Sequence, residues 1–361
     1  MTRTFLTAEM AFLAAATRWP RGEAERERLA ELAQVRLDMP LLARLARRHH
    51  VSAFVASAMP ACPVAEAPTL LAKGLRQARE TARLSGLLEA AGLQVTVLKG
   101  AATALVAFGQ HGYRQALDID LLVPPDQVEA ALRVLKQWGY HADTPPGVHD
   151  KDVALHNADT GVIVELHWRL FQNPRVLGDA GHATRRIDLL PGRQVSALHP
   201  LVEALYLCCH GGEHGWERLK WLADVAALLH GGQVDADALF GEARRRHLSR
   251  MVGPGLLLSH RIYETPLPAA LARALKRDWR MRRLADVAWD CLVGAEDGTE
   301  LLDREGTVAR KNLSHYLFSA DPRRLWHEAR FDLSDGPPGE HFGTRLLRIL
   351  ARLRAPNGKI A

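Results

Sequence analysis

Cysteine is scarce in this chain, with 4 residues in 361, at Cys62, Cys208, Cys209 and Cys291. They offer neither a metal-binding spacing nor a disulfide framework, and the adjacent Cys208 and Cys209 are poorly placed to bridge. Free, mostly buried thiols in a reducing compartment are expected, with the cytoplasm as location. Long apolar runs are also missing. No segment approaches the roughly 20 residues that span a bilayer. Met10 to Ala16, with Glu9 before it and Arg18 after it, reads as an amphipathic helix and not as a signal peptide. There is no internal repeat, no low-complexity segment and no recognised nucleic-acid-binding motif. Strong charge of one sign is lacking too: 47 basic residues face 41 acidic ones, for a net charge of +6 and a pI of about 9.3. That mild basic excess suits attraction of triphosphates or other polyanions. Nucleic acid stays open as a partner without being favoured.

What is present is ordinary for a globular protein, with 47% apolar and 24% charged residues and enough length for two or three compact units. Three zones follow one another. Residues 1–92 read as helical, with Pro20, Pro40, Pro60, Pro63 and Pro68 as punctuation and a last helix from Leu70 to Ala91. Residues 93–195 hold the strands, with a helix near Asp126 to Trp138, a loop at Pro145-Pro146-Gly147 and a close at Leu190-Pro191-Gly192. Residues 196–361 turn helical again, broken by Gly231-Gly232, Pro254 and Pro266.

The most informative segment is Leu117-Asp118-Ile119-Asp120-Leu121-Leu122-Val123. Strand alternation puts Asp118 and Asp120 on one face, while Ile119, Leu121 and Val123 anchor the other. Two neighbouring carboxylates on a rigid strand repel each other unless a cation lies between them. Oxygen ligands at this spacing suit Mg²⁺, or Mn²⁺, which completes its shell with substrate phosphates. Upstream, the β-branched run Val95-Thr96-Val97-Leu98 passes through Lys99-Gly100 into the helix-forming Ala101 to Phe108. A glycine opening a helix leaves free N–H groups where phosphate can sit. Arg114 adds a planar donor for phosphate oxygens. Downstream, Gly161 to Trp168 reads as a strand after the turn Asn157 to Gly161, with Glu165 and His167 on one face. Glu165 could complete a triad with the two aspartates; three such acids around metal ions can orient and deprotonate a hydroxyl. His167 is a candidate for touching substrate.

Gly100, Arg114-x-x-x-Asp118-x-Asp120 and the later Glu165 together resemble the active-site pattern of the polymerase-β-like nucleotidyltransferase superfamily. Within it, Leu98-Lys99-Gly100 and Asp118 to Val123 resemble a bacterial family of uncharacterised nucleotidyltransferases. Leu41 to Ala46 with His50-Val51, and Trp216-x-Arg218-Leu219-x-Trp221-x-x-Asp224, extend the resemblance over most of residues 35–235. It implies an α+β fold, a small mixed sheet flanked by N-terminal and C-terminal helical regions. The implied reaction moves a nucleoside monophosphate from an NTP, ATP first among them, to a hydroxyl or phosphate acceptor, with release of pyrophosphate. Asp118, Asp120 and Glu165 would hold metal; Lys99, Gly100 and Arg114 would hold the triphosphate. The chain departs from the pattern at Lys99-Gly100-Ala101, where many members carry Gly-Gly or Gly-Ser. That departure leaves a catalytically silent nucleotide-binding or scaffold protein as the alternative, and transfer onto RNA as another.

A rival motif, His210-Gly211-Gly212-Glu213-His214, spells the letters of an inverted zinc-peptidase site. Two adjacent glycines are poor helix formers, each costing roughly 1 kcal/mol against alanine, so a helix from Pro200 is expected to end at Gly211. His210, His214, Trp216, Arg218, Lys220 and Asp224 are expected to line the cleft for the acceptor or the base. Finally, Arg345 to Arg354 reads as a basic amphipathic helix that docks its leucines on the domain it ends, or meets a membrane or acidic partner.

Overall fold

The computed structural model describes residues 6–64, 67–144, 150–178, 183–294, 298–300, 305–319, 321–326 and 329. Helices α1 (Ala8–Thr17), α2 (Glu23–Gln34), α3 (Met39–Arg48), α4 (Ser52–Ala58) and α5 (Ala67–Ala90) come first. Local chemistry starts several of them: Thr7 accepts a hydrogen bond from the Met10 N–H to cap α1, and Asp38 accepts from the Leu41 N–H, with Pro40 in the first turn of α3. Then follow β1 (Thr96–Val97), α6 (Ala101–Phe108), β2 (Asp118–Leu122), a 3₁₀ turn at Pro125–Gln127, α7 (Val128–Gln137), β3 (His141–Ala142), β4 (Asp152–His156), β5 (Ile163–His167), β6 (Thr184–Leu190) and β7 (Arg193–Leu198). The remaining helices are α8 (Pro200–Glu213), α9 (Leu219–His230), α10 (Ala236–Arg245), α11 (Ser249–Tyr263), α12 (Ala269–Arg277), α13 (Trp279–Val293) and α14 (Glu305–Ser314). No helix among the described residues is long and apolar enough to cross a membrane.

The strands form one mixed sheet in the order β3-β4-β5-β2-β1-β7-β6. Strands β2 and β5 run parallel, as do β1 and β7, and the other neighbours are antiparallel. The architecture is therefore the expected α+β arrangement. Alternation along β2 and β5 divides the sheet into two faces. Ile119, Leu121, Val164 and Leu166 enter a core with Ala78, Leu84 and Leu88 of α5 and Ala131 and Leu135 of α7. The acids on the opposite face lie under α8 and α9. A second, larger core joins α1, α3, α4, α8, α9 and α11, with Leu205, Leu222 and Leu256 among its fully buried members.

Two local expectations change. Helix α8 does not end at Gly211 but continues through both glycines to Glu213. The reason is packing: a Cβ at Gly211 would lie 2.5 Å from the Trp216 indole, and one at Gly255 of α11 would lie 2.4 Å from its other edge. The glycines make room for a tryptophan between two helices, and its burial outweighs their weak helix propensity. Leu190-Pro191-Gly192 does not close the strand zone; it is the turn of the β6–β7 hairpin, with Gly192 at φ 70°. The loop at 145–147 and the basic helix expected over 345–354 lie outside the described residues.

Candidate active site

Register builds the floor of the site. Parallel pairing of β2 with β5 sets Asp120 beside Glu165 and Asp118 beside Ile163, so the acid face of one strand continues into that of the other. Asp120 is 1% exposed. Its Oδ1 lies 3.0 Å from Lys99 Nζ and 3.1 Å from His167 Nε2, while its Oδ2 is buried with no hydrogen-bond partner. His167 Nε2 also lies 3.4 Å from Glu165 Oε2. Asp120, Glu165 and His167 thus offer donor atoms all within 4.8 Å of one another, the one such group among the described residues. Asp118 lines the same cleft, outside this close group.

Charge in the cleft follows from burial against pairing. For Asp120, burial would raise the pKa, but Lys99 and His167 overcome it and hold the carboxyl well below the usual range. Burial raises Asp118, and the neighbouring charges of Asp120 and Glu165 raise it further against the pull of Lys99 and Lys220. For Lys99, burial is outweighed by Asp120, with Tyr206, Asp118 and Glu165 assisting, so the ammonium is held above its ordinary value. Lys220 goes the other way: burial and the Arg114 charge lower it to about 8.

Gly100 stands at φ 65°, the left-handed region that glycine alone adopts freely, and it turns the chain from β1 into α6. Its neighbour Lys99 reaches a cleft of about 360 Å³, walled also by Arg114, Leu117, Asp118, Lys151, Asp152, Tyr206, His210, His214, Lys220 and Trp221 among others, whereas Gly100 itself is not in the wall. His210 and His214 come from successive turns of α8, with ring centroids 4.5 Å apart, and Trp221 of α9 packs 5.3 and 5.2 Å from them. Burial and the Lys99 charge push His210 well below its ordinary pKa, so it is neutral at neutral pH. Among the described residues no third ligand joins these histidines, which removes the geometric basis for a zinc-peptidase site.

Three residues expected in the cleft are elsewhere. Trp216 is 1% exposed and wedged between α8 and α11. Arg218 turns to the Arg48 carbonyl and to Glu300, whose Oε2 lies 2.7 Å away. Asp224 sits behind the cleft, where both its oxygens accept from Arg114 Nε at 3.1 and 2.9 Å. Asp224 thus anchors Arg114 through its Nε at the wall of the cleft. The sequence reading missed Asp152, Lys151, Tyr206, Trp221 and the 63% exposed Leu117. Asp152 alone left a usable signal, an acid on a strand of alternating burial.

The family model for uncharacterised nucleotidyltransferases matches residues 24–264, a span that contains every residue of the cleft. The chain belongs to that family. No curated protein matches it. An antigenic nucleotidyltransferase-like protein of known structure from Paracoccidioides brasiliensis is 15% identical over 55% of this chain and 96% of its own, at a TM-score of 0.35, too slight a likeness to add to the assignment. This nucleotidyltransferase carries Asp118, Asp120 and Glu165 on two neighbouring strands, facing a cleft rich in lysine and histidine.

Proposed function

We propose that this nucleotidyltransferase moves a nucleoside monophosphate from an NTP, ATP first among them, to a hydroxyl or phosphate of an acceptor, with a divalent cation such as Mg²⁺ or Mn²⁺ and release of pyrophosphate. One observation carries the reading: Asp120 and Glu165 stand side by side on parallel strands, and Asp120 keeps a buried oxygen that nothing in the chain satisfies. Buried polar atoms are rarely left so, and Asp118, Asp120 and Glu165 are the oxygen donors that would hold such a cation. Bound there, such a cation supplies Lewis-acid stabilisation of charge on the phosphoryl oxygens.

The chain's own groups do the rest. The open N–H groups of α6 after Gly100, with Lys99, Lys220 and the terminal nitrogens of Arg114, hold the triphosphate. Glu165, partly exposed on the cleft floor, accepts the proton of the acceptor hydroxyl as its oxygen bonds the α-phosphorus and the bond to the β-phosphate oxygen breaks. His210, His214 and Trp221 form a flat-sided wall suited to a base or an acceptor. The buried cysteines, none of them in a disulfide, are consistent with a cytoplasmic location. The test is incubation with each α-labelled NTP, Mg²⁺ and an extract of the native host. Label should pass to one acceptor with the wild-type chain and not with Asp118→Asn; undiminished transfer by that variant would refute the reading.

A further inference from the structure

His167 contributes something other than a cleft wall. Its place is set by register: on β5 it stands two residues past Glu165 on the same face, and across β4 its Cα partner is Asp152. The imidazole is 1% exposed and has a carboxylate on each side. Its Nε2 lies 3.1 Å from Asp120 Oδ1 and 3.4 Å from Glu165 Oε2, and its Nδ1 lies 3.3 Å from Asp152 Oδ2. The last contact lies off the hydrogen-bond line, for Nδ1 has no hydrogen-bond partner, so Asp152 acts on it as a charge. A neighbouring lysine, Lys151, contacts Asp152 in turn. A nitrogen donor thus joins two carboxylates, with donor atoms all within 4.8 Å of one another, one of the carboxylates keeps a buried, unpartnered oxygen, and an outer acid lies beside the far nitrogen of the ring.

We propose that His167 is a nitrogen ligand of the divalent cation together with Asp120 and Glu165, that Asp152 is the positioning residue that fixes its tautomer, and that the site therefore takes a first-row transition ion in preference to Mg²⁺. The proposal rests on the metal-dependent reading of this cleft. Ligation needs the Nε2 lone pair, so the proton must reside on Nδ1, and a carboxylate facing Nδ1 is the usual means of keeping it there. Mg²⁺ favours an all-oxygen shell, whereas an imidazole nitrogen favours transition ions. Mn²⁺ is the natural probe because it accepts both donor types and is paramagnetic.

The experiment is electron spin-echo modulation spectroscopy of Mn²⁺ bound to the full chain. Nitrogen-14 coupling should appear in the wild type, persist in His210→Gln and vanish in His167→Gln. Asp152→Asn should keep the coupling and weaken Mn²⁺ binding by about 10–100-fold in a titration. Mg²⁺ should displace Mn²⁺ only at tenfold excess or more. Should His167→Gln fail to fold, by circular dichroism, the wild-type, His210→Gln and Asp152→Asn spectra still decide. Saturable Mn²⁺ binding without nitrogen coupling, or coupling lost with His210 instead, overturns the His167 assignment and leaves the carboxylate site standing. Equal displacement by Mg²⁺ overturns the selectivity. A wild-type chain that binds no Mn²⁺ even with NTP overturns this proposal and the metal-dependent reading together.

Discussion

Asp120 and Asp224 are each 1% exposed, each lies against a cation, and both stand on the cleft side of the sheet. They differ in what remains open. Asp224 gives both oxygens to the Arg114 guanidinium, so its bonding capacity toward that face is used within the protein. Asp120 gives one oxygen to Lys99 and His167 and keeps the other unmet. Burial and charge pairing alone therefore do not distinguish these two aspartates; the unpaired oxygen does. A satisfied buried pair positions its arginine, whereas a half-satisfied one is a reservoir for a ligand.

The largest effects should come from exchanging the two roles. Asp120→Asn should lower kcat/KM by about 10³-fold or more, roughly 4 kcal/mol of transition-state stabilisation, with a native circular dichroism spectrum. Asp224→Ala instead leaves Arg114 buried without its partner and should cost about 3–5 kcal/mol of stability, read as a lower denaturation midpoint. If Asp224→Ala left stability untouched while Asp120→Asn unfolded the chain, the contrast would be reversed.

A third buried acid sharpens it. Glu203 is 1% exposed, accepts from Thr103 Oγ1 at 2.5 Å, and has an unpartnered Oε2. Burial raises its pKa from 4.5 to about 7, with Thr103 opposing and Asp224 adding to the rise. Between those values the folded chain keeps a proton that the unfolded chain has released. Its stability is therefore full below about pH 4.5 and falls as pH rises to about 7. Glu203→Gln should flatten this fall and gain on the order of 2 kcal/mol at pH 8 relative to pH 5, measured by urea unfolding at the two values. An unchanged pH profile would count against a protonated Glu203.

The smallest effect concerns Arg114. Arg114→Lys keeps the charge on Asp224 but removes the planar fork whose terminal nitrogens border the cleft. KM for NTP should rise about tenfold, about 1.4 kcal/mol of lost binding, with kcat little changed. A Michaelis constant equal to wild type would confine Arg114 to a purely structural part.

Much of the floor was legible in the chain. Alternation of period two around Asp118, Asp120 and Glu165 is a local property, so which side chains share a face follows from spacing alone. The glycine turn at Gly100 is equally local. Partners far apart in sequence were not legible. Nothing near Arg114 points to Asp224, nothing near His167 points to Asp152, and Gly211-Gly212 of α8 looks like a helix end until the indole of Trp216 is seen to fill the space beside Gly211 and Met251 that beside Gly212.

Alternation and punctuation in the sequence thus determined the acid-bearing strands and the succession of zones, while the resemblance of the motifs pointed to the family and its α+β class. Those signals act over a few residues, where backbone geometry decides which way a side chain points. Tertiary structure alone decided which carboxylate would be left open, that His167 would sit between Asp120, Glu165 and Asp152, and that Trp216 and Arg218 would turn away from the cleft. Each of those outcomes depends on strand register and helix packing across long stretches of chain, where hydrogen-bond capacity and volume are shared among elements that no local pattern connects.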